Sequence, residues 1–316
     1  MVDRDNSLSR HCISLALTLL LAACGGGGSG GPDAAVGLSA PVPPPEAPGD
    51  TGPEPLSKSE ATRFLSQATF GPSGEDVDAL MGSGPESWFQ AELQKPPSLH
   101  LQSVLAALPE DGRIVNDNGN PLPEFVSLTS DSVWRTAIEG DDQLRQRMAF
   151  ALSQILVVSA NSDLVRAPQA MAHYADILTG GAFGNYRDLL EAVTYSPAMA
   201  VYLTYLRNEK ADPDTGRVPD ENYARELLQL FTIGLVVLNP DGTAATDSDG
   251  GEVELFDNDD ITGLARVFTG LSFDGVAFDT SLRQLPAAAF HSPLASFDDF
   301  HSSEAKAFLG THIPAG

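Results

Sequence analysis

From Ser57 to Thr269 apolar residues recur at helical spacing, with turn-forming residues between the runs. Ser57 or Ser59 is placed to cap a first helix bearing Ala61, Phe64, Leu65 and Ala68, and Gly71-Pro72 ends it. Segments 76–81 and 85–93 predict two short helices, the second opening on Pro85 in its first turn. Segments 99–108 and 126–138 predict two more, around a Gly/Asn/Asp/Pro-rich loop at 111–123. In 141–159 the apolar stripe is Leu144, Met148, Ala151, Leu152, Ile155 and Leu156. From Met148 to Val158 the segment is apolar nearly all round, which predicts a place at the centre of the fold. Segments 168–178, 186–195 and 197–206 continue the array, and 207–219 is a polar loop.

Segment 221–233 predicts a further helix with Tyr223, Leu227, Leu230, Phe231 and Gly234 on one buried face. Asn222, Arg225, Glu226 and Gln229 share another face. Segment 235–256 is broken by Asn239-Pro240-Asp241-Gly242 and reads as a small hairpin or irregular arm. Asp257 or Asn258 then caps a helix to Thr269 carrying Ile261, Leu264, Ala265 and Phe268. The fold class expected is mainly α: a multi-helix array with a small irregular or β excursion near 235–256.

The first residues follow a different pattern. Arg4 and Arg10 precede an apolar run from Ile13 to Ala23, which is shorter than the roughly 20 residues a membrane-spanning helix needs. Its length suits the apolar core of a signal peptide. It ends in Leu21-Ala22-Ala23-Cys24 and glycines, which resembles the bacterial lipobox. Residues 1–23 are therefore read as a lipoprotein signal peptide, cleaved between Ala23 and Cys24, with Cys24 lipidated. Cys12 leaves with the signal peptide, so the mature chain has no thiol for a disulfide or a thiolate metal site. Two or three acyl chains anchor stably where one does not. Residues 25–56 hold 9 Gly and 8 Pro in 32 positions without apolar periodicity. Residues 24–56 are the lipidated cysteine and a tether, and 57–316 are the helical domain. Gly25, rather than Asp, after the cysteine points to the outer membrane if the cell is Gram-negative.

Composition narrows the partners. The 316 residues include 18 Lys+Arg and 43 Asp+Glu, a formal net charge of −25. Such a chain is a poor match for phosphate backbones, so nucleic acid is excluded as a partner. An anionic bilayer would repel the body, which leaves Cys24 as the contact with lipid.

Candidate chemistry is sparse. Glu221 and Arg225 stand at i, i+4 with the acid first, the favourable order for a helix ion pair. The alternative is a polar cleft of Asn222, Arg225 and Glu226 in which Arg225 binds an anionic group and Glu226 serves as base or metal ligand. Arg145 and Arg147 lie on a helix expected to be buried, where each needs a partner: an acid such as Glu226 from a neighbouring helix or, as the alternative, a bound anion. Asp247-Ser248-Asp249-Gly250 carries a fragment of a calcium loop, but the first and twelfth positions would be Ala245 and Phe256. A solvated acidic loop and a weak Ca²⁺ site at Asp247 and Asp249 are both open. His291 and His301, with Asp298 and Asp299, are candidate ligands for Zn²⁺. His173 reads as a packed or capping residue. There is no G-x-S-x-G, P-loop, G-x-G-x-x-G or HExxH.

Several motifs resemble one bacterial family. They are Arg63-Phe64-Leu65-x-Gln67-Ala68-Thr69-Phe70-Gly71, Leu144-Arg145-Gln146-Arg147-Met148-Ala149-Phe150-Ala151-Leu152-Ser153-Gln154, and Gly184-Asn185-Tyr186-Arg187-Asp188-Leu189-Leu190. Ser196-Pro197-Ala198-Met199 and Glu221-Asn222-Tyr223-Ala224-Arg225-Glu226-Leu227-Leu228-Gln229-Leu230-Phe231-Thr232-Ile233-Gly234 follow, then His301 ahead of Lys306-x-Phe308-Leu309-Gly310. Over about 55–310 the chain resembles the domain of unknown function 1800 family. The resemblance implies an exported, largely helical protein with no assigned activity. Members are often encoded beside alkaline-phosphatase-like hydrolases, which implies a co-exported envelope partner. Members often carry Glu where this chain has Gln229, and usually run on past the Lys306–Gly310 motif. The helical domain is therefore expected to be cut short at its C-terminus. Two functions remain open: a tethered envelope binding or assembly module, and an envelope hydrolase using the Glu226/Arg225 cleft with a metal.

Overall fold

The computed structural model describes residues 56–109, 114–116, 118 and 120–316. Ala23, Cys24 and nearly all of the tether lie outside them. Twelve α-helices occur among the described residues, with two small antiparallel two-stranded sheets.

The first helices are α1 (Lys58–Ala68), α2 (Gly74–Ser83), α3 (Pro85–Gln94) and α4 (Leu101–Ala107). Ser57 caps α1 in a reciprocal box: its hydroxyl accepts from Glu60 N–H at 3.3 Å, and the Glu60 carboxylate accepts from Ser57 N–H at 3.0 Å. Ser73 and Asp76 repeat this at α2. Such boxes satisfy the free N–H groups of a first turn. Ala61, Leu65, Val77 and Leu80 form a small core of their own, with Phe64 edge-on to Trp88 at 5.3 Å.

The body follows: α5 (Pro123–Val126), α6 (Leu128–Glu139), α7 (Gln143–Ser153), α8 (Pro168–Gly181), α9 (Tyr186–Thr194) and α10 (Pro197–Tyr202). Prolines open α3, α5, α8 and α10, where a missing N–H costs nothing. Helix α8 is the central one. It packs against α4, α6, α7, α9 and α10, and buries Ala170, Ala172, Tyr174 and Leu178. This departs from the expectation that 141–159 holds the centre. Helix α7 stops at Ser153, and Met148, Phe150, Ile155 and Val157 are exposed.

Helix α11 (Asn222–Glu226) runs into one π turn, Leu227–Phe231, and α12 spans Asn258–Ala265. At the π turn Ile233 N–H bonds the Leu228 carbonyl five residues back, at 3.1 Å. The wide turn rotates the faces that follow. Leu228 is fully buried and Leu230, expected inside from a 3.6 period, is 59% exposed. Beside the helix, Tyr205 stacks on Tyr223 at 4.2 Å, and Tyr223 hydroxyl and Thr194 Oγ1 share a 2.7 Å hydrogen bond.

The 235–256 segment is the irregular β arm the sequence predicts. Isolated bridges join Val236 to Glu254, Leu238 to Ala244 and Thr246 to Glu252. Three backbone bonds close a ring: Val237 N–H to Val253 at 2.9 Å, Val253 N–H to Ala245 at 3.0 Å, and Ala245 N–H to Val237 at 2.7 Å. Asp257 and Asp260 form the capping box of α12. Strands β1 (Leu271–Ser272) and β2 (Ala295–Ser296) pair Leu271 with Ser296; β3 (Lys306–Phe308) and β4 (Thr311–Ile313) form a hairpin pairing Phe308 with Thr311. Its turn needs positive φ at both Leu309 (46°) and Gly310 (71°). Asp260 holds this turn by accepting from Leu309 N–H.

Helix α12 lies directly on β3, and Gly263 makes this approach feasible. A Cβ there would sit 1.8 Å from the Ala307 carbonyl oxygen. Gly263→Ala is expected to destabilise by about 1–3 kcal/mol or more, as overpacking does. Gly180, by contrast, is exposed near the end of α8, and a methyl group there would meet nothing within 4 Å. Gly180→Ala should stabilise by roughly 0.5–1 kcal/mol. Thermal melts of the two variants should move in opposite directions.

Candidate functional site

The polar face of α11 is largely occupied by structural work. Arg225 Nη2 stands 3.3 Å from Glu221 Oε2, and Glu221 Oε1 accepts from Thr262 on α12 at 2.9 Å. Asn222 N–H bonds Asp220 at 2.8 Å, and its amide reaches back to the Leu203 carbonyl at 3.4 Å. Thr204, with φ of 63°, donates to Asp220 at 3.0 Å. These bonds fasten the end of α10 to the start of α11. Glu226 differs from its neighbours: its Oε2 is buried and has no hydrogen-bond partner. It directly precedes the π turn, a feature that often marks functional positions.

Neither Arg145 nor Arg147 meets Glu226. Arg145 Nε is 4.0 Å from Asp142, and its guanidinium lies over Phe183 at 4.6 Å. Asp142 is fully buried at the start of α7. Burial raises its pKa, but hydrogen bonds from Ser98 and Gln146 more than offset this and hold it below the usual carboxylate range. Arg147 donates Nε–H to the Gln67 carbonyl at 3.3 Å and packs on Phe70 and Phe150, 5.4 and 5.5 Å from the ring centres. Among the described residues no carboxylate lies within ion-pairing distance of Arg147, contrary to the expectation of an acid partner.

The acidic and histidine candidates are dispersed. Asp247 Oδ1 accepts from Asp249 N–H and Gly251 N–H, both at 2.9 Å, so this carboxylate closes its own turn. Asp249 is exposed beside it. His301 Nδ1 is 2.8 Å from the Thr269 carbonyl. His291 lies instead by His173 of α8, ring centres 6.4 Å apart. Among the described residues no group of three or more His, Cys, Asp or Glu is arranged to hold a metal.

Two cavities flank α8. One, of about 410 Å³, is lined by His173, Asp188, Glu191, Tyr195 and Ser196 together with Ile177, Ala192 and Pro293. His173 Nδ1 and Ser196 Oγ are buried there without partners. The other is a cleft of about 450 Å³ between α6, α7 and α8. Its walls include Val126, Val133, Trp134, Phe150, Val158 and Met171, and Leu164, Tyr174 and Leu178 form its buried floor. Trp134 is 63% exposed and Phe150 43%. A volume of this size and an apolar lining are those of small-molecule sites. Sequence reasoning missed the cleft; the surplus apolar residues of 148–158 were its trace.

Burial holds the imidazoles of His100, His173 and His301 below their ordinary value of 6.5. For His100 and His173 nearby Asp176 opposes the shift without cancelling it. The unfolded chain then takes up protons near pH 6.5 that the folded chain resists. Stability from these groups is complete above pH 6.5 and is lost as pH falls through the depressed folded values. Asp176, raised by burial, acts with the opposite sign in the more acidic carboxylate range. The melting temperature should fall between pH 7.5 and pH 5.5, and His173→Gln should flatten that slope.

The model of a family described as protein of unknown function (DUF1800) matches residues 63–316. No curated protein and no solved structure matches the chain. The family match spans most of the sequence, all of the helical body after the first turn of α1, and both cavities. The chain belongs to the DUF1800 family.

Proposed function

We propose that this protein is a cell-envelope lipoprotein, held to the bilayer through Cys24, whose helical body is a binding module. The observation that carries the binding role is the open apolar cleft between α6, α7 and α8. Exposed aromatic surface that is not covered by the chain's own core is a feature of interaction sites. The anchor rests on the sequence Leu21-Ala22-Ala23-Cys24 and the Gly/Pro-rich segment after it. No helix among the described residues is long and apolar enough to cross a membrane. The module would work beside the membrane, in association with a co-exported envelope protein, and without nucleic acid.

A second reading, an envelope hydrolase, is favoured by the unpartnered Glu226 Oε2 at the π turn. In that reading Glu226 acts as base and Arg225 holds an anionic group, with Ca²⁺ or Zn²⁺ as the metal.

Two measurements test the first reading. Labelling with radioactive palmitate should mark the wild-type chain and not Cys24→Ser, and the variant should leave the membrane fraction. The chain has two tryptophans, Trp88 in the small core and Trp134 on the cleft. Binding of the apolar dye N-phenyl-1-naphthylamine should therefore shift the tryptophan emission, and Trp134→Ala should weaken dye binding severalfold. Unaltered membrane retention of Cys24→Ser overturns the anchor. Dye binding indifferent to Trp134→Ala overturns the cleft, and a loss of stability on chelation that Glu226→Gln abolishes would favour the hydrolase.

A further inference from the structure

The hydroxyl groups around the apolar cleft are already used. Thr129 donates to the Pro168 carbonyl at 2.9 Å, Ser130 to Ser127 at 2.9 Å, Ser153 to Phe150 at 2.7 Å, and Tyr174 to Leu156 at 2.7 Å. With those hydroxyl protons donated, the charged side-chain donor left to an anionic group in the cleft is one cation. That cation is Arg147, which lines the cleft and has spent only its Nε–H, on the Gln67 carbonyl. Its two Nη groups have no partner among the described residues. Phe70 and Phe150, both in the lining and edge-to-face with one another at 5.9 Å, pack against the guanidinium.

The setting makes this arrangement informative. The chain carries −25 charges overall, with 43 acids to 18 bases. Ion pairs engage Arg166, Arg187, Arg217, Arg225 and Arg266. An arginine without an acid, set against an edge-to-face pair of aromatic rings at an apolar cleft, is complementary to an anion with an apolar body. Its planar fork suits a carboxylate, which it can bind through two parallel hydrogen bonds.

We propose that the cleft binds a single-chain carboxylate amphiphile of the fatty-acid type. The alkyl chain lies along Trp134, Val158 and Met171, and the carboxylate pairs with the Nη groups of Arg147. The inference rests on the binding-module reading and adds the ligand's class and its orientation. It uses only groups of this chain and needs no metal.

The test is calorimetric titration of the mature chain, residues 24–316 carrying Cys24→Ser, with three twelve-carbon probes below their micellar concentrations. These are dodecanoate, dodecanol and dodecyltrimethylammonium. The expected result is saturable one-to-one binding with dodecanoate the tightest and the cation the weakest. Arg147→Met should weaken dodecanoate by roughly tenfold or more, the value of one charge-assisted contact, and leave dodecanol unchanged. Arg147→Lys should restore part of the loss. The unchanged dodecanol affinity shows that the variant cleft is still folded. If dodecanoate and dodecanol bind alike and Arg147→Met changes neither, the head-group assignment is overturned and the binding module stands. If the wild-type chain melts cooperatively but binds none of the three, both readings fail. If removing residues 25–55 is what first permits dodecanoate to bind, the tether is the occupant and the amphiphile is rejected. A dimer that Trp134→Ala dissociates would likewise give the cleft to a second copy.

Discussion

The seating of α8 among its neighbours is the constraint from which the rest of the body follows. Its alanines, Ala170 and Ala172, let other helices approach closely, and Leu178 fills the space that remains. Tyr174 crosses to the chain after α7 and bonds the Leu156 carbonyl at 2.7 Å, which satisfies a buried hydroxyl and ties down the segment that follows α7. Asp176 reaches the other way and caps α4 by accepting from His100 and Leu101 N–H. One helix thus sets the positions of α4 and α7, with α6 packed alongside. It packs on both α6 and α7 without closing the angle between them. The uncovered angle between them is the apolar cleft, so the candidate site is a consequence of how the core is built.

Much of the fold was legible because local chemistry agrees with it. Ser57, Ser73 and Asp257 each stand three residues before an acid, and each closes a capping box. Pro85, Pro168 and Pro197 open helices, as their fixed φ favours. The 235–256 arm was visible in its turn residues. Two features were not legible, for physical reasons. Periodicity reports that a face is apolar, but not whether protein or an open cleft lies against it, so 148–158 read as the centre. Nor does it report a change of helical pitch. The π turn at Leu227–Phe231 adds a residue to one turn, and a face projected at 3.6 residues per turn then places Leu230 wrongly.

The candidate residues divide along the same line. Asn222 and Arg225 were found as a polar helix face, and their bonds to Asp220, Leu203 and Glu221 give that face a structural role. His291 and His301 were grouped by proximity in sequence, whereas the fold gives them different neighbours, His173 and Thr269. Arg147 was expected to find an acid because an isolated charge in a core is costly. It is placed at a cleft instead, where aromatic faces shield it and water or a ligand can reach its Nη groups. The missing signal was three-dimensional: Phe70 and Arg147 are far apart in sequence and meet only because α1 packs on α7.

The binding role proposed for the helical body depends on the cleft being where ligand binds. Hydrogen–deuterium exchange of the mature chain, with and without dodecanoate, tests this most directly because it reports location. Bound dodecanoate should slow exchange in α6 (Leu128–Glu139) and α7 (Gln143–Ser153) and leave the 235–256 arm unchanged. Slowed exchange confined to other elements, or none at saturating dodecanoate, would contradict it.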